Sequence, residues 1–154
     1  MRFHCNTLPA AIFIACIAGI PSAAASANPQ GNCGKAEKQL LAGHEPKDWD
    51  SLHRLFKKFG ACDDGAAGEA FSEDVARLFT KQWTHLDRLS RLAASDKTFE
   101  EFVLRHIDAT LDENDLLSIF DHAKSQCPAG QQRICGLVLA RAQESLDVLG
   151  NVSE

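Results

Sequence analysis

Between Cys62 and Trp83 the apolar residues Phe71, Val75, Leu78, Phe79 and Trp83 follow one another at steps of four, three, one and four. That period puts their side chains on one side of an α-helix. It predicts a central amphipathic helix opened by the turn Cys62-Asp63-Asp64-Gly65, with Glu69, Glu73, Asp74, Arg77 and Lys81 on the opposite side. A helix with so continuous an apolar face needs cover along its length, and the remaining segments are read as that cover.

Those segments repeat the pattern. Lys35 to Ala42 reads as a short helix ended by Gly43 and Pro46. Asp48 caps the next, in which Trp49, Leu52, Leu55, Phe56 and Phe59 share a face until Gly60 stops it. A break near Trp83-Thr84 starts a fourth segment with Leu86, Leu89, Leu92 and Ala93 inward. Ser95 or Asp96 caps a fifth with Phe99, Phe102, Val103 and Ile107, and Thr98 with Glu101 offers an alternative capping box. Asp112 opens a sixth with Leu116, Ile119, Phe120 and Ala123. The last carries Ile134, Leu137, Val138, Ala142, Leu146 and Leu149 and is expected to end at Gly150. Nothing alternates with the period of two that strands need, and the chain has no Tyr at all. The expected fold is all-α: an irregular orthogonal bundle of six or seven helices, with a short stacked helical array as the second choice.

The chain opens with an address. Arg2 is the only charged residue before Lys35, and the run from Leu8 to Ile20 is almost wholly apolar before Pro21 and a series of small residues. This predicts a secretory signal peptide over residues 1–27, cut after Ala25-Ser26-Ala27 or, as second choice, Ala23-Ala24-Ala25. The apolar run is about 13 residues, short of the roughly 20 that span a bilayer. Phe13-Ile14-Ala15-Cys16 distantly matches a lipobox, but the apolar run continues past Cys16 where a lipobox would close it. The expected product is periplasmic, or extracellular as the alternative, without stable membrane insertion. Residues 28–32 form a flexible start and residues 33–150 a single helical domain. Loss of the leader removes one of 16 basic and none of 21 acidic residues, so the formal charge moves from −5 to −6. An acidic domain lacks the basic patch that nucleic acid requires, whereas a basic protein is a compatible partner.

Cys33, Cys62, Cys127 and Cys135 remain after cleavage. An even count in an exported chain implies disulfides, and four cysteines allow three pairings. Proximity across Pro128-Ala129-Gly130 favours Cys127 with Cys135, which leaves Cys33 with Cys62. A four-thiol zinc site lacks the close cysteine pairs of a zinc ribbon.

No catalytic, cofactor or metal signature stands out. Asp112-Glu113-Asn114-Asp115 crowds oxygen atoms as a calcium loop does, but the required Gly and Glu positions fall on Leu117 and Lys124. It reads as an acidic helix start. His44, His53, His85, His106 and His122 never pair at three or four residues, and His106 is expected at the edge of an apolar face. Ser72, Ser90, Ser95 and Ser118 lie in helices or caps without a nucleophile elbow. Asp63, Asp64, Glu69 and Glu73 could supply two carboxylates to a hydrolase, but adjacent acids at a helix start more commonly cap it. Those four residues are better read as a binding surface, an anionic turn held by a disulfide at Cys62.

The stretches Cys62-Asp63-Asp64-Gly65-Ala66, Phe71-Ser72-Glu73 with Val75, Phe102 to Leu111, and Cys127-Pro128 with Cys135 resemble a group of small exported all-helical proteins of Gram-negative bacteria. The resemblance spans most of the mature chain and implies no activity. In size, export and crosslinks the chain is also similar to periplasmic immunity proteins, a likeness of format alone. The expected function is therefore a non-enzymatic periplasmic protein-binding module, an immunity or inhibitor protein against an envelope-directed effector. A small-molecule-binding helical module and a hydrolase using the acidic loop are the alternatives.

Overall fold

The computed structural model describes residues 30–42 and 45–152. The expected signal peptide, Cys16 and His44 lie outside them. The described chain is all-helical: α1 (Gln30–Leu41), α2 (Trp49–Phe59), α3 (Gly65–Lys81), α4 (Leu86–Ser95), α5 (Lys97–Arg105), α6 (Glu113–Ser125) and α7 (Gln132–Val152). Single 3-10 turns at Gly60–Cys62 and Trp83–His85 lead into α3 and α4. None of the described helices is long and apolar enough to cross a membrane.

Local chemistry sets most of the boundaries. Asp48 accepts from the backbone N–H of Ser51 at 2.8 Å while the Ser51 hydroxyl accepts from the Asp48 N–H at 3.1 Å, a reciprocal capping box. Asp96, not Ser95, caps α5 by accepting from the Phe99 N–H. Asp112 caps α6 through the Asn114 N–H at 2.9 Å, the helix start expected of that acidic run. Gly65 sits at φ +51 and Gly130 at φ +79, backbone that side chains other than glycine rarely adopt. The second closes the turn in which the Gln131 N–H reaches the Pro128 carbonyl.

Two boundaries differ from expectation. The first helix already runs from Gln30, through the stretch expected to be flexible and ahead of Cys33. Gly60 is the C-cap at which α2 stops, as expected, but it stays right-handed at φ −61 and the chain tightens there into a 3-10 turn. Gly150 is helical, and α7 continues to Val152.

Packing converges on α3. Phe71, Val75, Leu78, Phe79 and Trp83 are all buried. Phe79 meets Trp49 of α2 edge-on at 4.8 Å, and Phe71 meets Phe102 of α5 at 5.0 Å with rings 87° apart. The Trp83 indole N–H donates to the Gln126 carbonyl at the end of α6, 2.8 Å away. Helices α1, α2 and α6 all pack on α3, while α5 also reaches α7. Such contacts between elements distant in order close the helices into a bundle. Phe120, expected in the same core, is only half-buried, with the Lys124 ammonium 5.1 Å from its ring centroid. Asp74, expected on the solvent face, is 6% exposed.

Cys127 is bonded to Cys135, as proximity suggests, and Cys33 to Cys62, the pair that remains. The sulfurs are thereby committed in pairs, which removes the four-thiol site.

Replacing Phe79 with Ala is expected to destabilise the fold by about 3 to 5 kcal/mol in a denaturant titration, the usual loss at an emptied aromatic core site. Removal of each disulfide by paired Ala substitution is expected to cost about 2 to 4 kcal/mol. The Cys33–Cys62 loop is the longer, 29 residues of separation against 8. Its loss should exceed that of Cys127–Cys135 by about 1 kcal/mol on loop entropy, and equal losses would argue against a chain-entropy origin.

Candidate functional site

The acidic turn lies between the 3-10 turn at Cys62 and the start of α3, and its residues divide between interior and surface. Asp64 has the extended backbone of an N-cap, and its carboxylate accepts from the Gly65 N–H at 2.8 Å while the side chain remains exposed. Glu69 and Glu73 stand four apart on the exposed side of α3. Asp63 turns inward instead. Its side chain is only 9% exposed, one carboxylate oxygen is bound by the Arg105 guanidinium, and the other lies 3.1 Å from His106 Nε2. Gly68 makes room: a Cβ there would stand 3.4 Å from that carboxylate. Asp63 thus ties the disulfide-bearing turn to the C-terminal end of α5.

His106, expected at the edge of a face, is 4% exposed. Its Nδ1 is 2.8 Å from the Ser72 hydroxyl, and its ring packs edge-on against Phe102 at 4.5 Å. The tautomer that suits both neighbours carries its proton on Nε2, facing Asp63, and leaves Nδ1 to accept from Ser72. The Nε2–H is not aligned on the Asp63 oxygen, so this contact is electrostatic rather than a formed hydrogen bond. Burial pushes the His106 pKa down, which the nearby Asp63 carboxylate only partly offsets.

Ser72, His106 and Asp63 therefore form a serine–histidine–aspartate chain that no sequence spacing foretold, since Ser72 and His106 are 34 residues apart. It differs from a nucleophile's constellation in two ways. The serine hydroxyl engages Nδ1 and the acid faces Nε2, the reverse of the hydrolase order. Ser72 is itself 6% exposed, so its oxygen has no approach for a substrate carbonyl. What the chain can do is hold α3, α5 and the acidic turn in register through polar contacts sealed from water.

A second buried acid lies farther along α3. Asp74 meets the Arg77 guanidinium at 2.5 Å, and Arg77 also donates to the Pro46 carbonyl and approaches Glu45 at 3.6 Å. Burial outweighs the arginine and raises the Asp74 pKa to about 6. At the start of α5, a hydrogen bond from His53, with further ones from Thr98, the Phe99 N–H and Lys57, holds Asp96 well below the usual carboxylate range.

A groove of about 530 Å³ borders the acidic turn, lined by Cys33, Gly34 and Glu37 of α1 and by Ala61, Cys62 and Asp64. Glu37 and Asp64 are the acidic residues of its lining. Among the described residues none of Glu37, Asp64, Glu69 or Glu73 belongs to an ion pair. Of the four acids expected to form a surface, the structure brings Asp64, Glu69 and Glu73 to the outside along the start of α3. It places Asp63 beneath them. Glu37 was not singled out, because only the α1 packing shows which way it faces. Among the described residues no cluster of three or more His, Cys, Asp or Glu side chains could hold a metal ion.

The two buried groups give opposite pH dependences. An unfolded chain protonates His106 at about pH 6.5 while the folded chain resists, so stability falls as pH drops from 7 through the folded value. Folded Asp74 takes its proton near pH 6, above the ordinary 3.8, so its contribution grows over the same descent. Asp74→Asn should therefore make stability fall more steeply between pH 7 and 5 than in the parent chain, and His106→Gln should flatten or invert the slope. Urea titrations at a series of pH values check this, and parallel slopes in all three proteins would contradict it. Comparison of the chain with protein families, with curated proteins and with solved structures finds no match.

Proposed function

We propose that this protein is a non-enzymatic, exported protein-binding module of the periplasm that engages a basic partner through the acidic start of α3. An immunity or inhibitor protein directed at an envelope-acting effector is the specific form of this reading. The observation that carries it is the division within the acidic turn: Asp63 is spent inside the fold, whereas Asp64, Glu69 and Glu73 are exposed and outside any ion pair among the described residues. The Cys33–Cys62 bond holds the groove beside them, with Glu37 on its far wall. A preset surface of one charge sign costs little ordering on association and steers a partner of opposite sign. The net charge of −6 expected of the mature chain adds to that steering.

The test uses the oxidised mature protein and its Asp64→Asn, Glu69→Gln, Glu73→Gln variant, in which Asn keeps the helix cap. Both are immobilised and exposed to periplasmic extract at about 50 mM and about 500 mM salt, where the screening length differs about threefold. A basic protein is expected on the parent at low salt, released at high salt, and lost from the variant while its circular dichroism is unchanged. Equal capture by parent and variant would place the surface elsewhere. Should the purified protein instead degrade peptidoglycan, with activity lost in the same variant, the hydrolase reading would replace this one.

A further inference from the structure

Helix α1 separates two grooves of opposite charge. Glu37 faces the acidic one, whereas Lys35, Lys38 and Gln39 line the other, together with Lys58 and Phe59 from the end of α2. We infer that this second groove, of about 450 Å³, binds a small amphiphilic anion: a phosphate or carboxylate carried on an aliphatic or aromatic body.

Three observations point there. The lysines lack counter-charges: among the described residues none of Lys35, Lys38 and Lys58 is in an ion pair, although the chain has 21 acidic residues. The neighbouring Lys57 shows the alternative, since its ammonium reaches Asp96 at 3.3 Å. Lys58 instead donates to the neutral Gln39 amide oxygen at 3.0 Å and stands 4.6 Å from the Phe59 ring centroid. The C-terminal dipoles of α1 and α2 account for Lys38 and Lys58 but not for Lys35, which lies mid-helix. Phe59, 7% exposed, is the one apolar residue among those lining the groove, so an inorganic ion alone would leave that part of it unfilled. The volume suits a small organic molecule, and three lysines lining one concavity favour a single anionic head.

Octyl phosphate below its micelle concentration is the probe, titrated into the oxidised protein by calorimetry and by amide chemical-shift mapping. One-to-one binding with Kd below about 1 mM and shifts confined to α1 and the end of α2 is expected. Octanol and inorganic phosphate at equal concentration should not saturate the site. Lys35→Gln, Lys38→Gln, Lys58→Gln should weaken binding at least about tenfold, while the control Lys47→Gln, Lys81→Gln leaves it within about twofold. Saturation by inorganic phosphate alone, or equal weakening by the control, would overturn the proposal. Binding to phosphatidylglycerol vesicles without binding of monomeric octyl phosphate would also overturn it, since the occupant would then be a bilayer surface. Unaltered circular dichroism in the variants separates loss of the site from loss of the fold.

Discussion

Along one side of α3 and into the 3-10 turn after it, Phe71, Val75, Leu78, Phe79 and Trp83 lose almost all contact with water, and the placement of the other helices follows from covering them. Full burial of a side chain of this size is worth about 1.5 to 3 kcal/mol, so the face forms a continuous driving force. Aromatic contacts then give it direction: Trp49 comes from α2 and Phe102 from α5, each meeting an α3 ring edge-on. That geometry is preferred over face-to-face stacking because of the charge distribution of the rings. Phe102 further contacts Phe56, Phe99 and His106, which carries the aromatic packing outward to α2 and to the buried polar chain.

The polar interior depends on the same packing. Ser72 is the residue after Phe71 and points beside the apolar stripe, so its hydroxyl is buried wherever α5 covers that stripe. An unpaired hydroxyl there would carry the cost of desolvation, and His106 removes it. His106 in turn presents Nε2 to Asp63, and Asp63 draws in Arg105. The Ser72 hydroxyl is hydrogen-bonded to His106, His106 meets Asp63 electrostatically, and Asp63 ends on a guanidinium that is largely in water. The acidic turn is thus held from below by Asp63 and from the side by the Cys33–Cys62 bond.

Element order, the Trp83 break, the caps at Asp48 and Asp112 and both disulfide pairings were legible in the sequence because each rests on local spacing or on proximity along the chain. What was not legible depends on contacts between distant segments. Asp74 belongs to the polar side of α3 by periodicity, but Arg77 and the Pro46 segment fold over it. Phe120 belongs to the apolar side of α6 by the same rule, but α7 covers it incompletely and Lys124 shares its ring with solvent. The split between Asp63 and Asp64 could not be read from two adjacent identical residues. It is set by Arg105 and His106, more than 40 residues away. The helical start at Gln30 was missed because Asn, Gln and Gly there suggest a flexible chain, whereas the crosslink at Cys33 holds that segment against α3.

Both tryptophans of the chain are buried and both touch Phe79, Trp49 at 4.8 Å and Trp83 at 6.2 Å between ring centroids, and there is no tyrosine. Intrinsic ultraviolet emission from this protein therefore arises from two indoles flanking a single phenylalanine near the C-terminal end of α3. A change in that emission reports opening of the centre. Helix α1 contains no aromatic residue, so it acts on the emission only through the packing around those two indoles. Backbone circular dichroism registers loss of helix anywhere in the chain, so comparing the two optical signals separates unwinding at the periphery from opening of the centre.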